Sequence, residues 1–254
     1  MAKMMTPAME KRMKRQNKHP LKADPWHEAW YRLRRNRTAM VGLFIVAVLL
    51  ILALFPSVFA CYGEDEQVFQ DAFIFPCWEH PMGTDNYGRD ILSRTIYGAR
   101  TSLLIGALAV LMSVIIGGSC GLIAAYYGKK VDNIIMRISE VVGGLPFLPF
   151  AMILSAIIGT RITVEQRMYL IMVVLGILSW PGICHLIRAQ ILSQREQEYV
   201  TAAKALGVRE KSIIFHHIIP NVMSLILVNA TLSFATCMLT ESSLSYMGFG
   251  IAPP

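Results

Sequence analysis

The chain carries six histidines and five cysteines, the side chains best suited to metal or nucleophilic chemistry, yet their spacing argues against either. His216 and His217 are neighbours, and adjacent side chains on a helix point about 100° apart, so they seldom share one ion. His185, beside Cys184, falls at the end of an apolar run, where a hydrogen-bonded interfacial histidine is far commoner than a ligand. Cys61, Cys77, Cys120, Cys184 and Cys237 show no CxxC pair and no zinc-ligand spacing. No HExxH, no glycine-rich lysine loop and no workable Ser-His-Asp set is present. The reading is therefore no catalytic residue, no metal site and no cofactor in the chain itself. Two carboxylates remain, Glu140 and Glu241. An ionisable group near a membrane interior is costly and tends to face a path or a partner, although either residue can also lie at the headgroup level.

The elements that would position these groups are apolar. Of 254 residues, 54% are hydrophobic and 16% charged, with a mean hydropathy of +0.47, against about 25% charged in soluble domains. Nearly uncharged runs at Ala39–Ala60, Ser102–Tyr127, Leu145–Gly159, Met168–Leu186 and Ile218–Leu239 approach the ~20 residues that cross a ~30 Å hydrocarbon core. The third is short, but its helical pattern extends back through Val131–Val142 with polar groups turned inward. Five membrane spans are predicted. The first run is longer than the ~7–15-residue apolar region of a secretory signal and lacks a small-x-small cleavage site, so it reads as a retained anchor.

The net charge of +7 is concentrated before that anchor, in residues such as Lys11, Arg12, Lys14, Arg15, Arg34 and Arg35. Basic residues crowded ahead of a span mark the cytoplasmic side; the pattern points to membrane lipid rather than nucleic acid. The segment Tyr62–Tyr97, by contrast, holds Glu64, Asp65, Glu66, Asp71, Glu79, Asp85 and Asp90 against Arg89 and Arg94. The resulting organisation is a cytoplasmic tail (1–38), a first transmembrane helix (39–61), an extracytoplasmic segment (62–97) and a core of spans two to five (98–254) that includes a basic cytoplasmic loop at 188–217. Cys61 and Cys77 alone are placed to meet outside the membrane, either as a disulfide or as two free thiols.

That loop carries the functional pattern. Ser193-Gln194-Arg195-Glu196 fits a capping box, which predicts a helix starting there. Tyr199, Ala202, Ala203 and Leu206 recur at i, i+3, i+4 and i+7 as one apolar stripe, with Arg195, Glu198 and Lys204 on its flanks. Gly207 supplies the left-handed position that ends the helix. Arg209–His217 reads as a second short helix, and Pro220 suits the first turn of the following span. A membrane-surface amphipathic helix and a helix seated in a partner's cleft are both compatible with this periodicity.

Glu198-Tyr199-Val200-Thr201-Ala202-Ala203-Lys204-Ala205-Leu206-Gly207, followed by Ile218-Ile219-Pro220-Asn221, resembles the cytoplasmic EAA loop of binding-protein-dependent ABC permeases. Thr201 stands where that motif's name has glutamate, and His217 where isoleucine is frequent. A second stretch, His80-Pro81-Met82-Gly83-Thr84-Asp85-Asn86-Tyr87-Gly88-Arg89-Asp90 with Tyr97–Leu103, resembles the segment before the second span of oligopeptide, dipeptide and nickel permeases. Asp132 with Met136-Arg137 before Pro146, Trp180-Pro181 with Arg188, and Glu241–Gly250 before Pro253-Pro254 add to the likeness.

The resemblance implies an all-α, polytopic type I ABC importer permease with five of an expected six spans, since such chains usually continue past the double proline into a loop and a further span. It implies a second permease subunit in a heterodimer, two cytoplasmic ATPase subunits that bind ATP and Mg, and an external solute-binding protein. Glu198, Tyr199, Ala202, Ala203, Leu206, Gly207 and Pro220 would couple to an ATPase. Thr84, Asp85, Arg89 and Asp90 would meet the binding protein or gate the path, with a solvated acidic loop as the bland alternative; Glu140 and Glu241 would line the path. Peptides are the expected cargo, with nickel second. A membrane-embedded enzyme using His80 or Glu140 and a passive channel are the rival classes.

Overall fold

The computed structural model describes residues 30–31, 33–159 and 163–249. Most of the basic tail, residues 160–162 and the terminal prolines lie outside them. Among the described residues every regular element is helical, and the sole β feature is an isolated antiparallel bridge between Thr84 and Asp90. The chain divides into two units, Met1–Ile51 and Leu52–Pro254. The first contains most of α1 (Arg37–Leu54), apolar all round and exposed at Val41, Phe44, Ile45 and Leu49, the composition of a membrane-spanning helix.

The second unit begins with the single turn α2 (Pro56–Phe59) and an irregular segment to Asp90. Next comes α3 (Ile91–Tyr127), one unbroken helix of 37 residues, about 55 Å long at 1.5 Å per residue. It starts eleven residues before the predicted Ser102 because Asp90 caps it, accepting from the Ser93 backbone N–H at 2.7 Å, and nothing in Ile91–Thr101 breaks it. Gly128, with φ of +60°, separates α3 from α4 (Lys129–Gly143).

The third predicted span is not one helix. α4 and α5 (Phe147–Gly159) meet at 78°, because Gly143-Gly144 gives up helical preference and Pro146 offers no N–H while excluding the helical region for Leu145. Four described helices are long and apolar enough to cross a membrane, and the bent pair makes up to five. A capping box does occur, but at Thr163 and Gln166, opening α6 (Val164–Arg195).

The centre of the unit is the contact of α3 with α6. Gly117 and Gly121 stand four residues apart on α3. A Cβ at Gly117 would lie 2.5 Å from the Trp180 carbonyl oxygen, and one at Gly121 2.6 Å from that of Cys184, the close backbone approach that small residues at this spacing permit within membranes. Ile105, Ala109, Met172 and Leu175 fill the middle of the same seam. Arg188 of α6 makes a two-pronged ion pair with Asp132 of α4, and Ser139 bonds the His185 ring at 3.0 Å. Of the polar residues of α4, Asp132 and Ser139 thus turn toward its neighbours as expected, while Asn133, Arg137 and Glu140 are exposed along with Ile134, Ile138 and Val141.

Candidate functional site

The two ends of α3 carry the two motif-bearing regions. At its Tyr127 end, α6 runs past the predicted start of a new helix. Ile187, Ile191 and Arg195 share one helical stripe; the isoleucines are buried, and Arg195 Nη1 donates to the Ala125 carbonyl at 2.8 Å, satisfying one of the free carbonyls at the α3 terminus. Helical register is therefore worth keeping through Arg195. Ser193 caps nothing: the helix closes in a tightened turn, Glu196 N–H to Ser193 O and Gln197 N–H to Gln194 O. The short helix α7 runs Glu198–Ala205 from Gln197, with no side-chain cap.

α7 ends as expected. Gly207 has φ of +77°; its N–H reaches Lys204 O at 3.0 Å and Val208 N–H reaches Ala203 O at 3.1 Å, the paired bonds of a Schellman motif. A Cβ added at Gly207 would meet nothing within 4 Å, so glycine is required by the backbone alone.

Which face of α7 points where differs from the simple stripe. Val200 is fully buried, and Ala203 packs beside it against Ile187, Ile191, Ile213, Ile214 and Ile218. Tyr199, Ala202 and Leu206 are exposed, Leu206 at 83%, and Glu198 lies outside with them. The helix thus has two apolar faces, one gripped by its own chain and one open. Tyr199 is held in place from both sides, donating to Gln194 Oε1 at 2.7 Å and accepting from Asn221 Nδ2 at 3.5 Å. Thr201 and His217, the departures from the EAA pattern, are both exposed.

The second short helix predicted at Arg209–His217 is not separate. α8 (Glu210–Ile213) passes through a π-helical segment, Ile214–Ile218, straight into α9 (Ile219–Tyr246). Pro220 supplies the cause: it has no N–H for the carbonyl four residues earlier, and the wider π turn before it absorbs the mismatch. Ile213, Ile214 and Ile218 are buried by that register.

At the Ile91 end, the second motif forms a clasp. Gly83 and Gly88 both have positive φ, and a Cβ at Gly88 would fall 1.8 Å from the Val68 carbonyl oxygen. Thr84 accepts from Ile74 N–H at 2.8 Å and donates to the Asp71 carbonyl. Asp85 accepts from Arg89 Nε and from Arg94 Nη1, each at 2.8 Å. Asp90 takes His80 Nδ1 at 3.0 Å, and that imidazole stacks on Tyr62. Burial alone would raise the Asp85 carboxyl, but the Arg89 and Tyr87 backbone N–H groups and the Arg89 guanidinium outweigh it and hold it below the usual carboxylate range. Burial likewise opposes ionisation of Asp90, and Ser93 and His80 outweigh it, again leaving the carboxyl low. Thr84, Arg89 and Asp90 are all buried; what they offer is a fixed loop conformation, while the outward groups are Phe73, Phe75 and Trp78. Cys61 and Cys77 are both exposed free thiols.

The two carboxylates separate. Glu140 is exposed and pairs with Arg137 at 3.0 Å; the inward polar residue of that turn is its neighbour Ser139. Glu241 is 5% exposed, accepting from Ser245 Oγ at 2.7 Å and from Ser102 Oγ at 3.3 Å, so it ties α9 to α3 instead of standing free on a surface. Sequence reasoning passed over Arg188–Asp132 as a pair and Gly117/Gly121 as a packing seam. The four-residue spacing of the glycines is a readable signal; the ion pair spans 56 positions and has none.

Among the described residues the chain is a multi-span helical protein, and its short helix α7 keeps the apolar side chains of Tyr199, Ala202 and Leu206 exposed. Comparison with known proteins makes this specific. Residues 117–254, more than half the chain, match the model of the binding-protein-dependent transport system inner membrane component, and residues 24–76 match the N-terminal TM domain of oligopeptide transport permease C. The chain is 37% identical over 230 residues to the dipeptide transport system permease protein DppC of Alkalihalophilus pseudofirmus, covering 91% of this chain and 74% of that one. It is 35% identical to the oligopeptide transport system permease protein OppC of Bacillus subtilis, over 90% of this chain and 73% of the relative. The figure for OppC of Haemophilus influenzae is 36%, over 90% and 72%. The chain belongs to the family of binding-protein-dependent ABC importer permeases, non-catalytic multi-pass membrane subunits that work with ATPase and binding-protein partners.

Proposed function

We propose that this chain is a permease subunit of an ATP-driven importer of dipeptides or oligopeptides, forming half of a translocation path with a second, different permease subunit. Two ATPase subunits bind ATP and Mg on the cytoplasmic side, where the N-terminus and α7 also lie, in a bacterial plasma membrane. A solute-binding protein delivers cargo from the other side, against residues 62–90. The peptide assignment rests on the names of relatives that align over nine-tenths of the chain.

The observation that carries the coupling role is the two-faced helix α7. Glu198, Tyr199, Ala202, Leu206 and Gly207 form the side offered to an ATPase, and the small Ala202 permits close backbone approach there. Val200 and Ala203 form the side that transmits, being packed on α6 and on the foot of α9. Pro220 sets the π turn that brings that foot into contact. A shift of the ATPase then moves α7 without bending it and biases α3, α6 and α9 between two arrangements, provided the ATPase contacts differ between the two. Thr84, Asp85, Arg89 and Asp90 act by holding the receiving loop in shape, and Glu241 by joining α3 to α9 near that side.

The test is crosslinking in the assembled transporter. Cysteine at Ala202 or Leu206 should reach an ATPase subunit in a nucleotide-dependent way, whereas cysteine at Val200 should not. Absence of any ATPase crosslink from Ala202 and Leu206, with assembly verified, sinks the coupling assignment.

A further inference from the structure

Between α3 and α9, with α6 as its floor, runs an apolar groove of about 300 Å³ lined by Val114, Gly118, Leu122, Ile191, Val222 and Met223 among others. A second cavity, of about 210 Å³, shares Leu122 as a wall and continues toward the Tyr127 end of α3, where its lining becomes Tyr126, Tyr127, Ile214, Phe215 and Lys211. The two together change character along their length: hydrocarbon at the membrane interior, then two tyrosines and one cation at the helix end. The tyrosine rings meet edge to face at 4.8 Å. Lys211 is the single charged residue of the second cavity's described lining, and its acidic neighbour Glu210 is drawn off toward Lys204, 3.7 Å away. Lys129 and Lys130, both exposed, follow Tyr127 directly.

Amphipathic aromatics and lysines at a span end sit at the headgroup level, and a lysine there draws anionic headgroups. We infer that this groove holds one anionic phospholipid, its phosphate at Lys211 and the Tyr126-Tyr127 pair and an acyl chain lying along Leu122 toward Met223. A helix of a second subunit would fill the apolar half equally well but has no use for a lone cation at the groove's mouth, and Ile115, Ile123 and Phe215 on the rim are exposed like the rest of the lipid-facing surface. The site requires only that α3 and α9 span a bilayer; it stands apart from the coupling role of α7 and from which leaflet this end occupies.

The experiment is native mass spectrometry of the purified transporter, with its partner subunits, after exchange into micelles containing equal phosphatidylglycerol and phosphatidylcholine. Wild type should retain phosphatidylglycerol in preference. Lys211→Glu should lower that preference at least about fivefold, the effect of one lysine near an anionic headgroup, and Lys211→Arg should keep it. Gly118→Leu fills the groove from a position where a Cβ meets only Ile187 Cδ1 at 3.5 Å, and should reduce retention of both lipids. Equal retention of the two lipids by wild type, or an unchanged preference in Lys211→Glu, overturns the inference. So does an efficient disulfide from Met223→Cys to a membrane helix of a partner subunit. Scoring the Leu206 crosslink on the same preparations separates failure of this site from failure of the coupling assignment.

Discussion

Replacing Gly207 tests the coupling corner with little ambiguity, because the structure isolates one physical cause. The residue sits at φ +77° with nothing within 4 Å of where a Cβ would stand. Alanine there meets no clash and costs only the left-handed backbone, about 1–2 kcal/mol. The helix it terminates has eight residues, far below the ~12–15 at which an isolated helix becomes even marginal, so its order depends on Val200, Tyr199 and the two Schellman bonds, each worth about 1 kcal/mol. Losing 1–2 kcal/mol lowers the closed-to-open ratio of the corner roughly 5- to 30-fold. Asparagine, which enters the left-handed region more readily, should be intermediate, and β-branched valine the most severe. In proteoliposomes measured simultaneously for uptake and ATP hydrolysis, cargo moved per ATP should fall in the order Gly, Asn, Ala, Val. A Gly207→Val transporter with the wild-type ratio would refute the claim that this corner transmits motion.

Other consequences follow from the packing and the charges. Gly121→Ala pushes a methyl into the Cys184 carbonyl at 2.6 Å and should destabilise the α3–α6 seam by about 1–3 kcal/mol, seen as a lower melting temperature in detergent; Gly118→Ala, with room at its Cβ, is the control. Asp132→Ala strands Arg188, whose side chain is 29% exposed; that partial access brings the expected loss to about 1–3 kcal/mol, below the ~3–5 of a fully buried pair. Denaturation that leaves Asp132→Ala indistinguishable from wild type would count against a structural role. The clasp should be acid-labile: Asp85 and Asp90 have lowered values in the fold, so their contribution is present above the unfolded value of ~3.9 and disappears as pH falls through the lower folded values. Cleavage within 63–94 by an acid-active protease should therefore rise only below about pH 4, and resistance down to pH 2 would show that the carboxylates do not hold the loop.

What could be read from the sequence was set by local chemistry. The helix stop at Gly207 was legible because one backbone conformation admits few residues, and the spans because hydrocarbon tolerates few charges. The capping box at Ser193 misled, since the same residue types also occur mid-helix, and here helical register continues through Arg195, which reaches the Ala125 carbonyl. The stripe of α7 was correct as a spacing but silent about which apolar side its own chain would bury; Val200, outside the stripe, is the anchor. Glu140 and Ser139 show the same limit, since adjacent residues point about 100° apart on a helix and only the partner His185 on α6 decides which of them turns inward. The break between α4 and α5 was written in Gly143-Gly144 and Pro146, yet apolar length outweighed it in the reading.

The geometry also constrains how a push at α7 would travel on the proposed mechanism. Between Gly117 and Gly121 of α3 and the carbonyls of α6 there is no side-chain cushion, so these helices have little freedom to slide without steric conflict and behave as one body. α9 is joined to that body differently along its length: through the isoleucine cluster and the π turn at its foot, through Phe234 and Cys237 packed into the seam, and through Glu241, Ser102 and Ser245 near the other side. A π turn is a register defect that can migrate or close at small cost relative to breaking a helix, and such turns recur at functional sites. Motion entering through Val200 would thus reach α3 and α6 rigidly but α9 through a compliant foot. The part free to change its angle is then the foot of α9, below the Phe234 and Cys237 packing and the serine–carboxylate contact that hold the rest of the helix to α3.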